Sequence, residues 1–87
     1  MIQIEYSTHF LRKYKKLDPQ FKKEIKMRIK EFCDLKNHQR LDVHKLKADM
    51  TPYYAFSINR SDRVAFEFSK DNKIAYLYDV GDHSIYS

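Results

Sequence analysis

The hydrophobic pattern of this chain changes period once, and that change limits what it can fold into. Between Phe10 and Phe32 apolar residues recur three or four positions apart, whereas from Tyr53 onward they alternate. A helical stretch followed by a stretch of strands points to an α+β fold. On the first helix, Phe10, Leu11, Tyr14 and Leu17 share one side while Arg12, Lys13, Lys15 and Lys16 take the wet side, with Ser7 or Thr8 as the cap. Asp18 and Pro19, a favoured cap and a favoured first residue, restart the helix, and Phe21, Ile25, Ile29 and Phe32 continue its apolar stripe. The result is a helical hairpin.

Strands flank that hairpin. Ile2, Ile4 and Tyr6 alternate with Gln3 and Glu5, which suits a short N-terminal strand. Tyr54, Phe56 and Ile58, then Val64, Phe66 and Phe68, alternate with smaller or polar residues, and Asn59 to Asp62 reads as the turn between them. A second turn at Lys70-Asp71-Asn72 leads into Ile74 to Val80, apolar on both sides as in a strand near a sheet's centre. The expected architecture is an N-terminal strand, a two-helix hairpin and a three-stranded antiparallel meander, with the helices on one sheet face. If Phe56, Phe66 and Phe68 meet the helices, Ser57, Asn59, Arg63, Glu67 and Asp79 stand on the opposite face, the surface left for a ligand.

Length and composition narrow the function. Eighty-seven residues make one domain, 1–87, and one glycine and two prolines leave no room for a flexible linker. No stretch approaches the roughly 18 apolar residues of a membrane span and the N-terminus is unlike a signal peptide, so a cytoplasmic protein is expected. The single cysteine, Cys33, closes no internal disulfide and reads as a small buried hydrophobe rather than a nucleophile. The four histidines lack the spacing of a metal site, so no metal or other cofactor is expected, and His9 and His38 read as solvated. Charge is uneven: His9 to Lys47 holds 13 Lys or Arg against 5 Asp or Glu, within a net charge of +5. A cationic half of this kind attracts a polyanion, either nucleic acid or an acidic protein segment.

An order of strand, two basic helices and a meander, carrying HKLKADMTPYYAFSI, then DRVAFEF, then YDVGDHSIY, resembles the RelE/ParE superfamily of bacterial and archaeal toxins over essentially the whole chain. The resemblance implies a compact sheet with a helical hairpin on one face and a co-expressed antitoxin as protein partner in a toxin–antitoxin hetero-oligomer. For RelE-like members it also implies endonucleolytic cleavage of mRNA in the ribosomal A site.

RNA cleavage without a metal needs a base for the 2'-hydroxyl proton, cations around the crowded phosphate, and an acid for the departing 5'-oxygen. His83 matches the family's Gly-x-His position. Its ordinary pKa of about 6.5 suits proton transfer at neutral pH, and Gly81 permits close approach beyond a strand. Arg63 fits the strand-opening arginine that grips phosphate, against the plainer reading of a salt bridge to Glu67. Tyr86 corresponds to a C-terminal aromatic that stacks or hydrogen-bonds, and His44 to a histidine that is catalytic in some relatives. Lys45, Lys47, Tyr53 and Arg60 complete the RNA-binding set. Where RelE-type members carry two lysines this chain has Tyr54 and Phe56. Two rival readings stay open: a ParE-like inhibitor of DNA gyrase, and a RelE-like binding protein that cuts nothing.

Overall fold

Both helices begin where a side-chain oxygen replaces a missing backbone partner. The computed structural model describes residues 1–46, 53–82 and 85. Strand β1 (Gln3–Tyr6) leads into helix α1 (Thr8–Lys15), capped by Ser7, whose hydroxyl accepts the Phe10 N–H at 2.9 Å. Helix α2 (Pro19–Phe32) starts as expected: Asp18 accepts the Phe21 N–H at 2.9 Å and Pro19 fills the first turn, where no N–H is needed. A short 3-10 turn (Leu35–Asn37) precedes β2 (His44–Lys45), β3 (Tyr54–Ser57), β4 (Arg63–Phe68) and β5 (Ile74–Gly81).

The five strands form one sheet in the order β1-β5-β4-β3-β2, with β1 parallel to β5 and the other pairs antiparallel. The expected meander is β3, β4 and β5. The sheet exceeds the expectation by one strand, β2, which pairs His44 with Ala55 and Lys45 with Tyr54. Two residues are too few to show a period, so pairing alone reveals this strand.

The core lies between α2 and the sheet. Phe32 is fully buried and stacks on Phe56 at 4.4 Å between ring centroids, with Phe66 edge-on at 4.8 Å. Phe10, Ile25, Ile29, Leu77 and Val80 close around them. His38 is not solvated as expected: it stacks on Phe32 at 4.7 Å, and its Nε2 lies 2.7 Å from the Phe32 carbonyl. Leu11, expected on the buried side of α1, is instead 43% exposed, because only Phe10 of that helix is fully buried.

Turns follow their side chains. Asn59 Oδ1 accepts the N–H groups of Ser61 and Asp62, each at 2.9 Å, forming the predicted turn between β3 and β4. Its amide also donates to Glu24 of α2 at 3.0 Å, so Asn59 faces the helices and not the open face expected for it. Arg28 of α2 donates to the Ile58 carbonyl at 3.0 Å, tying the same turn down. The turn into β5 places Asn72 at φ 60°, a conformation Asn tolerates better than most residues. The Ser69 hydroxyl, and then the Lys73 N–H, hold the Asp71 carboxyl below its usual range.

β5 departs from the expected pattern. Ala75 and Leu77 are buried, but the intervening Tyr76 and the following Tyr78 are 41% and 39% exposed, so its second face is tyrosine rather than aliphatic. The ladder with β4 also slips: Leu77 pairs with Phe66 and Asp79 with Ala65, leaving Tyr78 as an extra residue. Beyond the end of β1, helix α1 covers the edge of β5, where the Ser7 N–H donates to the Leu77 carbonyl and the Ser7 hydroxyl to the Tyr78 carbonyl, both at 2.9 Å. Among the described residues no helix is long and apolar enough to cross a membrane.

Candidate nucleic-acid interface

Register assigns the sheet face away from α2. Residues paired across strands point to the same side, so His44, Ala55, Ala65 and Asp79 form one row across four strands. At about 4.8 Å per strand the row spans roughly 14 Å. Its two middle positions carry only a methyl group, with larger polar groups at both ends. Ser57, Arg63 and Gly81 make the row on one side, and Glu67 and Tyr76 pair on the other, with Tyr53 beside them.

Arg63 stands in this face, as its sequence position predicted. Its Nη1 donates to the carbonyls of Asn59 at 2.9 Å, Asp62 at 3.1 Å and Arg60 at 3.3 Å. The guanidinium therefore braces the turn rather than pairing with Glu67. Nε and Nη2 carry none of these three bonds. Arg60 itself is exposed in that turn.

His44 ends the row on edge strand β2. Its Nδ1 lies 2.9 Å from the Asp42 carbonyl and 3.8 Å from the Asp42 carboxylate. A proton on Nδ1 satisfies that carbonyl and leaves Nε2 as the basic nitrogen, a tautomer assigned from the hydrogen bond. Lys45 is exposed beside it. Tyr53 stacks on Tyr78, ring centroids 5.1 Å apart. Lys47, His83 and Tyr86 lie outside the described residues. Gly81 does mark a close approach: a Cβ there would meet Ile85 Cγ2 at 2.8 Å and Lys13 Nζ at 3.2 Å.

The other end of the row overturns three expectations. Asp79, expected on an open face, is only 8% exposed, and its Oδ1 accepts from Lys13 Nζ at 2.9 Å and from the Val80 N–H at 2.8 Å. His9 Nε2 lies 3.1 Å from the same oxygen, and the His9 ring stacks on Tyr78 at 5.6 Å. Lys13 is therefore not simply on the wet side of α1, and His9 is not merely solvated. One signal for this cluster was present in the sequence. A carboxylate inside an apolar strand requires a partner, and His9 and Lys13 fall one helical turn apart on the adjoining helix.

Away from this face, burial raises the pKa of Cys33, partly opposed by the N-terminal ammonium, and burial is also the main cause raising Tyr6. Cys33 is half-buried rather than fully enclosed, and a thiol shifted upward is a poor nucleophile. Among the described residues no three His, Cys, Asp or Glu side chains group as metal ligands. The described part of the face offers cations and aromatic rings.

No protein-family model matches the sequence, and neither does any curated protein. Solved structures do match. The chain superposes over its full length on the whole of YafQ from E. coli, with a TM-score of 0.78 at 15% identity. It matches a chain of the toxin–antitoxin complex RelBE2 from Mycobacterium tuberculosis with a TM-score of 0.77 at 11% identity, covering 94% of this chain and 98% of that one. Against the YoeB-YefM complex from Staphylococcus aureus the TM-score is 0.72 at 20% identity, with 95% and 98% covered. The sheet with its helical hairpin is thus the RelE-like toxin fold.

Proposed function

We propose that this chain is the toxin of a toxin–antitoxin pair and acts in the cytoplasm as a ribosome-dependent, metal-independent endoribonuclease on mRNA. The observation that carries this reading is the placement of Arg63, in the row beside His44, Ala55, Ala65 and Asp79, on the sheet face that α2 leaves uncovered. The fold shared with chains of toxin–antitoxin complexes supports it, and so does the cationic half of the sequence.

In the proposed reaction a base takes the proton of a 2'-hydroxyl, the oxygen attacks the adjacent phosphorus, and the bond to the 5'-oxygen breaks as an acid protonates it. The products are a 2',3'-cyclic phosphate and a 5'-hydroxyl, and no oxidant or co-reactant is consumed. Arg63, through Nε and Nη2, stabilises charge on the phosphorane oxygens. His83 and His44 are the proton-transfer residues and Tyr86 stacks on or hydrogen-bonds the substrate. Lys45, Lys47, Arg60 and Tyr53 position the strand. A cognate antitoxin holds the toxin silent.

Two observations favour a second reading, a ribosome-binding relative that cuts nothing. Arg63 Nη1 is committed to three turn carbonyls, and Tyr54 and Phe56 replace the lysines of RelE-type members. Induction in growing bacteria with primer-extension mapping of mRNA 5' ends separates the two. In-frame cuts that vanish in His83→Ala and fall about a hundredfold in Arg63→Ala support cleavage. Ribosome binding without new ends selects the second reading, and inhibited DNA supercoiling with intact mRNA would select the gyrase inhibitor.

A further inference from the structure

We infer that His9, Tyr78 and Tyr53 form a stacking shelf for unpaired nucleobases of bound RNA at the β5 end of the open sheet face. This inference rests on the reading of RNA as the ligand and adds to it a site, residues and a substrate form.

The three rings come from three elements and meet nearly face to face. His9 of α1 lies over Tyr78 of β5 with an interplanar angle of 23°, and Tyr78 over Tyr53, at the entry to β3, with an angle of 30°. They are not core. The His9 side chain is 54% exposed and Tyr78 39%. Rings stacked in this way while open to water gain little for folding; Tyr78 lies between the other two rings and holds them, and the outer faces of His9 and Tyr53 are left for a nucleobase.

The backbone is bent to make this surface. Leu77 belongs to the core row and Asp79 to the open row, so the bulge at Tyr78 turns two consecutive residues, Tyr78 and Asp79, toward one side. Asp79 then fixes the imidazole. With its proton on Nε2 toward Asp79 Oδ1, His9 holds one plane and leaves Nδ1 on the exposed side as an acceptor. Lys13 shares the same oxygen and cancels the carboxylate's charge, so Asp79 does not repel a phosphate near the shelf. Arg12 of the same helix and Lys16, its C-cap, both exposed, fall on the His9 side and supply positive charge there. Glu67 and Glu5, which flank Tyr76 in the next row, are acidic groups on the same face.

Aromatic platforms beside a cationic track are how single strands are held without base-edge readout, since every base has a π-face. A duplex keeps its base faces stacked internally and cannot use such a shelf. The ligand is therefore single-stranded RNA with splayed bases.

The test is fluorescence anisotropy of a short single-stranded RNA, paired with quenching of a 2-aminopurine placed within it. Quenching by the native protein, about tenfold weaker binding in Tyr78→Leu and in His9→Ala, and near-native binding in Tyr78→Phe would establish the shelf. Circular dichroism confirms that each variant is folded, and the quench in the native protein stands whether or not a variant folds. Native affinity in both Tyr78→Leu and His9→Ala, alongside weakened binding in Arg63→Ala, would overturn the shelf and leave the RNA reading intact. Equal competition by a duplex of the same sequence would also overturn it. If the native protein binds no free RNA at all, the shelf falls, while in-frame cleavage during translation decides the reading beneath it separately.

Discussion

On the helix side of the sheet, Phe56 and Phe66 meet Phe32 ring to ring and all three are fully buried; on the opposite face stand Ala55, Ala65 and Asp79. The two faces share every backbone hydrogen bond and differ only in side chains. One is filled to packing density, so its residues set stability. The other carries buried alanines at its middle, and the polar and aromatic groups around them, Asp79 apart, are at least partly exposed and free to serve a ligand at little cost to the fold.

Substitutions can break this division or sharpen it. Phe32→Ala should produce the largest loss, about 3–5 kcal/mol in urea denaturation, since it removes the centre of the aromatic cluster. A loss below about 1 kcal/mol would show that the helix-side face is not what holds the domain. Asp79→Ala should cost about 2 kcal/mol, because three donors lose a common acceptor. Asp79 is thus an open-face position that matters for folding, and Asp79→Ala combined with Lys13→Met should recover part of the loss. Ser7→Ala should cost about 1 kcal/mol by thermal denaturation, through the lost cap of α1 and the lost bond to the Tyr78 carbonyl.

Smaller effects test the faces at their margins. For Cys33, a pKa raised in the fold means that the unfolded thiol ionises first, so stability is unaffected at neutral pH and declines as pH rises past about 8.5. At pH 8 its alkylation by iodoacetamide should be several-fold slower than that of a free thiol, and equal rates would contradict the shift. Glu67→Gln should change stability by less than about 0.5 kcal/mol while strengthening RNA binding about twofold at low salt, a gain that disappears at high salt.

How far the sequence revealed each face depends on the range of the interactions involved. Ser7, Asp18 with Pro19, and the alternation of Phe56 and Phe66 with their neighbours act locally, and the elements formed where those residues placed them. Arg63 was legible on the open face because parity along a strand is also local. The bulge at Tyr78 was not, since a single inserted residue leaves no mark in an alternation already rich in apolar side chains. The Asp79 cluster was missed because its partner Lys13 lies 66 residues away in the chain, and only the tertiary fold brings α1 beside it. Asn59 misled for a related reason: its parity was right for a strand, but it belongs to a turn whose amide reaches α2.

The two-residue strand β2 has a consequence beyond the site it borders. Among the described residues the outermost strand offers only His44 and Lys45, with charge at its tip, and is a poor template for a strand from a neighbouring molecule. Copies carrying a net charge of +5 also repel one another as they accumulate. At this edge the described fold resists growing into a larger sheet, so copies of the chain stay apart as their concentration rises.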